Sequence, residues 1–180
     1  LDSLADMVTS GLVPGLVMCQ LLFASLHPSA AFHLLSADVS WMVYVGFIIT
    51  LGSAYRLAKF NIDERQTDSF IGLPTPANAL LILSLGLILN YQPDSFMAPW
   101  IQNPYVLISV AVLSVCLLNA ELKLFALKFK NLNVKQNWFR YVMILTSVLL
   151  ILWLQFVAIP MIILLYVVLS MVLSKFKLQV

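Results

Sequence analysis

The C-terminal third of the chain contains a long stretch without a charged side chain, from Tyr141 to Ser174. As one α-helix this stretch would be about 50 Å long at about 1.5 Å per residue, whereas the hydrocarbon core of a bilayer is about 30 Å thick. Pro160 lies near the middle of the stretch, and proline interrupts helices. The pattern therefore predicts a fifth and a sixth membrane helix joined tightly around Ala158, Ile159 and Pro160. The sixth is short, so a re-entrant hairpin is the alternative.

Four further apolar segments precede this stretch, and the first contains Gly11 and the Pro14-Gly15 pair, where we expect a kink. Of the 180 residues, 62% are hydrophobic and 10% are charged, compared with about 25% charged residues in soluble domains. We therefore predict an all-α, polytopic membrane helix bundle with about six transmembrane helices, in a single domain over residues 1–180. The net charge of +2 gives no reason to expect a nucleic-acid partner. The four segments are residues 4–26, 39–59, 76–91 and 104–120.

The basic residues occur only in alternate loops and in the C-terminal tail. The positive-inside rule assigns loops rich in Lys and Arg to the cytoplasm. With six spans and a cytoplasmic tail, the start of the first helix lies on the cytoplasmic side as well. Asp2 and Asp6 are thus expected on the same side of the membrane as all ten basic residues, which are Arg56, Lys59, Arg65, Lys123, Lys128, Lys130, Lys135, Arg140, Lys175 and Lys177.

Two acidic residues, Asp2 and Asp6, lie four residues apart at the start of the first apolar segment. Residues with this spacing lie one above the other on a helix, and paired carboxylates suit hard cations such as Mg²⁺, Mn²⁺ or Ca²⁺. The same acids could instead be solvated residues that interact favourably with the helix macrodipole. Ionisable residues at membrane depth are costly and usually functional, which favours a site for a cation.

The sequence around these acids, LDSLAD followed by MVTSGLVPG, resembles the second half of the signature of the CDP-alcohol phosphatidyltransferase family, D-x2-D-G-x2-A-R-x8-G-x3-D-x3-D. Asp2 and Asp6 match its last two aspartates. A second block, AYRLAKFN with FIGLPTPANA, is similar to elements of the serine-accepting branch of that family, the CDP-diacylglycerol–serine O-phosphatidyltransferases of bacteria. The D-x3-D spacing alone is a weak signal. The resemblance depends on the order of all these elements along the chain.

The resemblance implies transfer of a phosphatidyl group from CDP-diacylglycerol to the hydroxyl of L-serine, giving phosphatidylserine and CMP, at the cytoplasmic face of the bacterial inner membrane. It implies that Asp6 is the base, and that Asp2 and Asp6 bind Mg²⁺ or Mn²⁺. Arg56, Lys59 and Asn61 become candidate substrate-binding residues. Ser3 is added because it lies between the acids in sequence, although its side chain is expected on another face of the helix. Alternatively, Arg56 and Lys59 extend to lipid headgroups, and Asn61 caps its helix.

The resemblance also implies that the first two aspartates of the signature precede Leu1, on a helix that this sequence does not include. The chain alone is then expected to be inactive, whereas the intact protein should be active. The family is commonly dimeric, so a homodimer is an expectation as well. Alternatives are the same chemistry with glycerol phosphate, inositol phosphate or choline as acceptor, a small cation-coupled transporter, or a structural membrane subunit.

Overall fold

The computed structural model describes residues 2–28, 39–62, 70–124 and 134–175. In these ranges the chain is all-α apart from one pair of two-residue strands, so the all-α part of the predicted fold class is confirmed. The α-helices are α1 (Asp2–Met7), α2 (Val13–Leu26), α3 (Phe47–Ile62), α4 (Thr75–Tyr91), α5 (Ala98–Ile101), α6 (Pro104–Asn119), α7 (Val134–Leu154) and α8 (Ala158–Lys175).

Short non-α segments complete this backbone. A π turn, Val8–Leu12, joins α1 to α2 and contains Gly11, one of the residues at which a kink was predicted. A 3₁₀ helix, Trp41–Gly46, precedes α3. A second one, Gln155–Val157, separates α7 from α8. The strands β1 (Phe70–Ile71) and β2 (Lys123–Leu124) pair antiparallel.

Three helical stretches among the described residues are long and apolar enough to cross a membrane: Ser3–Leu26, Trp41–Ile62 and Trp138–Leu173. Two further helices, Thr75–Tyr91 and Pro104–Asn119, are apolar but shorter. Many large apolar side chains are exposed, among them Leu145, Leu152 and Trp153 of α7. Such a surface would be unusual in a soluble monomer, and it is what a lipid environment requires. The chain is therefore a membrane protein.

Contacts between helix ends show that consecutive long helices run in opposite directions. At one end, which we call the site end, the start of α1 meets the end of α3 through Ser3 and Asn61. The start of α7 meets the end of α8 there through Phe139 and Leu173. At the opposite end, Tyr91 at the end of α4 packs against Phe156, with ring centroids 5.5 Å apart.

The main apolar core lies between α2, α3, α4 and α6, where the buried side chains come from all four helices. A second cluster at the site end joins the segment before α4 to β2 and α8. The core residues are Met18, Leu21, Leu22, Ile49, Ile82, Leu85, Ile88, Ile101, Leu107, Ala111 and Val157, and the second cluster contains Leu73, Leu81, Leu124, Ile163 and Val167.

The long C-terminal apolar stretch does break, but the break lies upstream of the predicted position around Ala158, Ile159 and Pro160. It occupies Gln155–Val157, where Gln155 has a φ of 50°. Pro160 lies in the first turn of α8, where a proline costs no hydrogen bond because the first amides of a helix have no partner within it. The proline therefore permits the start of α8 without creating the break.

The break is held by a side chain from another helix, that of Gln92 at the end of α4. Its Oε1 accepts hydrogen bonds from the amides of Phe156 and Val157, at 3.0 and 3.3 Å. Its Nε2 donates to the carbonyl of Leu154 at 3.3 Å. One amide side chain thus satisfies three backbone groups that the interrupted helix leaves without their usual partners.

Replacement of Gln92 by alanine is expected to destabilise the protein by about 2 kcal/mol or more, since each buried backbone group left unsatisfied costs about 1–3 kcal/mol. The midpoint of thermal unfolding in detergent should fall accordingly. Gln102→Ala is the matched control, because Gln102 is exposed at the end of α5 and should tolerate the change. Equal midpoints for the two variants would contradict a role for Gln92 at the break.

Candidate functional site

The start of α1 lies against the end of α3, which brings two distant parts of the sequence together. Ser3 Oγ donates a hydrogen bond to Asn61 Oδ1 over 2.9 Å. The side chain of Ser3 therefore points toward α3. Asn61 does not act only as a local helix cap, because its amide oxygen is engaged by a different helix. Ser3 and Asn61 are both sequence-predicted site residues, and the structure places them in contact.

The two predicted metal ligands both lie on α1. Asp6 is half-buried, about one turn from Ser3 and two residues before the π turn. Asp2 belongs to the same helix, but its side chain lies outside the described part of the structure. The backbone of α1 preserves the four-residue spacing, so the two residues lie on neighbouring positions of one helix face.

Arg56 lies inside the protein, with its side chain 8% exposed. Its guanidinium donates to the carbonyl oxygen of Gly72 at 3.4 Å. Gly72 and the residues after it form the connection from β1 to α4, so Arg56 links α3 to this connection. A buried guanidinium requires hydrogen-bond acceptors, and the carbonyl of Gly72 is one of them. The structure thus places Arg56 beneath the loop rather than at the lipid surface.

The connection that contains Gly72 is fixed to the end of α6. Its amides of Gly72 and Leu73 donate to the carbonyls of Leu122 and Leu117, each at 2.9 Å. Gly72 has a φ of 74°, a conformation that glycine adopts without the steric cost of a side chain. The sequence block IGLPTP is therefore attached to α6 on one side and to Arg56 on the other.

Lys59 forms an ion pair with Glu121, just beyond the end of α6, with Nζ and Oε1 3.4 Å apart. The two side chains are 34% and 73% exposed. Exposed pairs of this kind contribute at most about 1 kcal/mol. The pair therefore leaves Lys59 able to interact with an anion that approaches the site end. Sequence analysis did not identify Glu121 as a partner, because nothing in its local sequence indicates that α6 ends beside α3.

Polar side chains also join the helices beneath the site, and sequence analysis did not identify them. Ser114 of α6 donates a hydrogen bond to the side-chain oxygen of Asn78 on α4, and both residues are buried. Asn119 Nδ2 of α6 donates to the carbonyl of Gly52 on α3 at 3.3 Å. Polar residues between membrane helices commonly act in this way. These contacts hold α3, α4 and α6 in the arrangement that supports the site end.

The side chains that the structure describes contain few ligands for a divalent cation. Among them, no group of three or more His, Cys, Asp or Glu residues is close enough together to hold a metal ion. The carboxylate of Asp6 is of the right chemical type for Mg²⁺ or Mn²⁺, and Asp2 is the only other predicted ligand. The described side chains therefore supply one of the two predicted ligands, the carboxylate of Asp6, and no complete set of metal ligands.

Comparison with known proteins returned no match to a family model, to a curated protein or to a solved structure.

Proposed function

We propose that this protein belongs to the CDP-alcohol phosphatidyltransferase family and transfers the phosphatidyl group of CDP-diacylglycerol to L-serine, releasing CMP. The reaction takes place at the cytoplasmic face of a bacterial inner membrane and depends on Mg²⁺ or Mn²⁺. Other alcohols of the same family, such as glycerol phosphate, inositol phosphate or choline, are the alternative acceptors.

The observation that carries this proposal is the meeting of the three sequence blocks that resemble the family. The SLAD block contacts the RLAKFN block through Ser3 and Asn61, which are 58 residues apart. The RLAKFN block contacts the GLPTP block through Arg56 and Gly72. A shared site requires the three blocks to lie together, and their contacts at the site end meet that requirement.

The arrangement of charge supports the proposed sidedness. Arg56, Lys59 and Arg140 all belong to helix segments whose termini lie at the site end. The described residues of the opposite end include Asp94 and no Lys or Arg. We propose six crossings, with α4 and α6 as the short ones, since helices of 17 and 16 residues are about 24–26 Å long and match a locally thinned bilayer.

The proposed chemistry assigns a role to each residue at the site end. The serine hydroxyl oxygen attacks the phosphatidyl phosphorus while the phosphoanhydride bond to CMP breaks and its electron pair leaves with CMP. Asp6 accepts the hydroxyl proton, as a general base does. A divalent cation held by Asp2 and Asp6 would neutralise the negative charge on the phosphate oxygens.

Two basic residues complete this proposal. Lys59, at the exposed end of α3, attracts the anionic substrate. Arg56 acts from below by holding the Gly72 connection, and Asn61 presents its remaining amide donors next to Ser3. Asn61 would thereby contribute hydrogen bonds to the acceptor or to a phosphate oxygen.

The test uses the full native protein that contains this sequence, reconstituted in lipid with CDP-diacylglycerol, labelled L-serine and Mg²⁺ or Mn²⁺. CMP release and labelled phosphatidylserine are followed together. We expect both products, and we expect chelation of the metal to remove both. CMP release with another alcohol but not with serine would show that serine is not the acceptor, and it would leave the proposed family unchanged. No CMP release with any of the alcohols would overturn the proposed function.

A further inference from the structure

The π turn between α1 and α2 determines which residues of the first helix face α3. A π turn holds one residue more than an α-helical turn, and such turns occur frequently at functional sites. Here the amide of Val13 donates to the carbonyl of Val8, five residues earlier. In an α-helix it would donate to the carbonyl of the residue four positions earlier. The residues of α1 are therefore rotated about the helix axis, relative to the positions that they would have in an uninterrupted α-helix.

The face of α2 that contacts α3 is identified by a pair of close contacts. Thr50 Oγ1 of α3 donates to the carbonyl of Gly11 at 3.1 Å. A Cβ atom at Gly15 would collide with Thr50 and would lie 3.5 Å from the carbonyl oxygen of Gly46. The direction from the helix axis to Gly15 thus marks the side of α2 that packs closely on α3. The direction of each residue before the π turn can be given as an angle about the helix axis from this reference.

At about 100° per residue, an uninterrupted α-helix would place Leu4 about 20° from the direction of Gly15 and Ser3 about 120° from it. With one extra residue in the π turn, Ser3 lies about 20° from the direction of Gly15 and Leu4 lies about 80° from it. The contacts agree with the second arrangement. Ser3 bonds to Asn61, whereas Leu4 is 69% exposed.

The same rotation moves Asp6. An uninterrupted helix would place it about 180° from the direction of Gly15, on the side away from α3. The extra residue brings it to about 80°, on the same flank as Ser3. Asp6 is accordingly half-buried, while Val8, which an uninterrupted helix would direct at α3, is 53% exposed.

We infer that the π turn Val8–Leu12 is a positioning element that rotates Asp6 from the far side of its helix to the flank that faces α3, the flank on which Ser3 also lies. The catalytic meaning of this placement rests on the proposed function, whereas the placement itself does not. The element acts through the number of residues in the turn, so that it can be tested by changing that number.

The first test needs no change of chain length. In the full native protein, cysteine pairs are introduced as Ser3→Cys with Asn61→Cys and as Leu4→Cys with Asn61→Cys, and disulfide formation in membranes is measured by peptide mass spectrometry. Single-cysteine variants control for the native Cys19 and Cys116. We expect a disulfide for the Ser3 pair and none for the Leu4 pair. The reverse result would overturn the inference.

The second test deletes one exposed residue at two neighbouring places in the background of the Ser3→Cys and Asn61→Cys pair. Deletion of Val8 converts the π turn into an α-helical turn and should keep the disulfide. Deletion of Ala5 rotates Ser3 by about 100° and should lose it. Loss of the disulfide in a folded Val8 deletion, or its retention in the Ala5 deletion, would contradict the inference. Without a folded Val8 deletion, the two cysteine pairs decide the matter.

Enzyme activity separates this inference from the proposed function. If the function is correct, the Val8 deletion in the otherwise native protein should retain CMP release, because Asp6 keeps its direction. If the native protein releases no CMP, the proposed function fails while the disulfide pattern still tests the placement.

Discussion

Replacement of Asp6 by asparagine is expected to reduce CMP release by at least about 100-fold, since general base catalysis contributes about 10²–10⁴-fold. Asparagine has nearly the same shape as aspartate, and Asp6 is only half-buried, so the fold should be preserved. The amide cannot accept the proton of the attacking hydroxyl, and it is a poorer ligand for a hard cation. The measurement is the initial rate of CMP formation at saturating serine.

Asp94→Asn is the control for this substitution. Asp94 is an exposed aspartate at the opposite end of the bundle, so the same chemical change there should leave the rate unaltered. Both variants should elute as the native protein does in size-exclusion chromatography. An Asp6→Asn variant with native activity would remove Asp6 from the mechanism, even if the native protein proved to be the proposed transferase.

Gly72→Ala is expected to destabilise the protein strongly. A Cβ atom at this position would lie 2.5 Å from the carbonyl oxygen of Leu118 and 3.0 Å from that of Ala120. Both are backbone atoms, so no side chain can move to make room. The left-handed conformation adds about 1–2 kcal/mol for any L-residue. We therefore expect a destabilisation of more than about 2 kcal/mol.

Gly86→Ala provides the matched comparison, because it is the same substitution in the middle of α4. A Cβ atom at Gly86 would lie 3.7 Å from Val17 Cγ1, an ordinary contact. Alanine favours the helix by about 1 kcal/mol over glycine, so the unfolding midpoint in detergent should remain equal or rise. An unchanged midpoint for Gly72→Ala would show that the Gly72 connection is not held as described. An equal fall for Gly86→Ala would show that the loss is not specific to the Gly72 connection.

For the acids of the candidate site, the sequence could predict their position along the chain but not the direction in which their side chains point. The acids on α1 could be located because ionisable residues are rare in an apolar chain. Their direction could not, because the extra residue of the π turn leaves no pattern of its own in MVTSGLVPG. Ser3 was expected on a different face of the helix from the acids, but the sequence could not show that this face meets α3 at Asn61.

The sequence also could not predict the contacts between residues that lie far apart in the chain. The ion pair of Lys59 with Glu121 and the bond from Arg56 to Gly72 depend on which helices become neighbours. The hydrogen bonds of Gln92 to the interrupted C-terminal helix depend on it too. Polar side chains such as these give no periodic signal from which a partner could be inferred.

The sequence by itself determined that this is an all-α membrane protein and approximately where its helices lie, because hydrocarbon burial requires continuous apolar runs and internally bonded backbone. It also predicted a break in the C-terminal stretch. Only the tertiary structure decided where that break falls, how the first helix is rotated and which polar groups meet. Those features depend on the packing of helices far apart in the chain, and local propensity does not encode such packing.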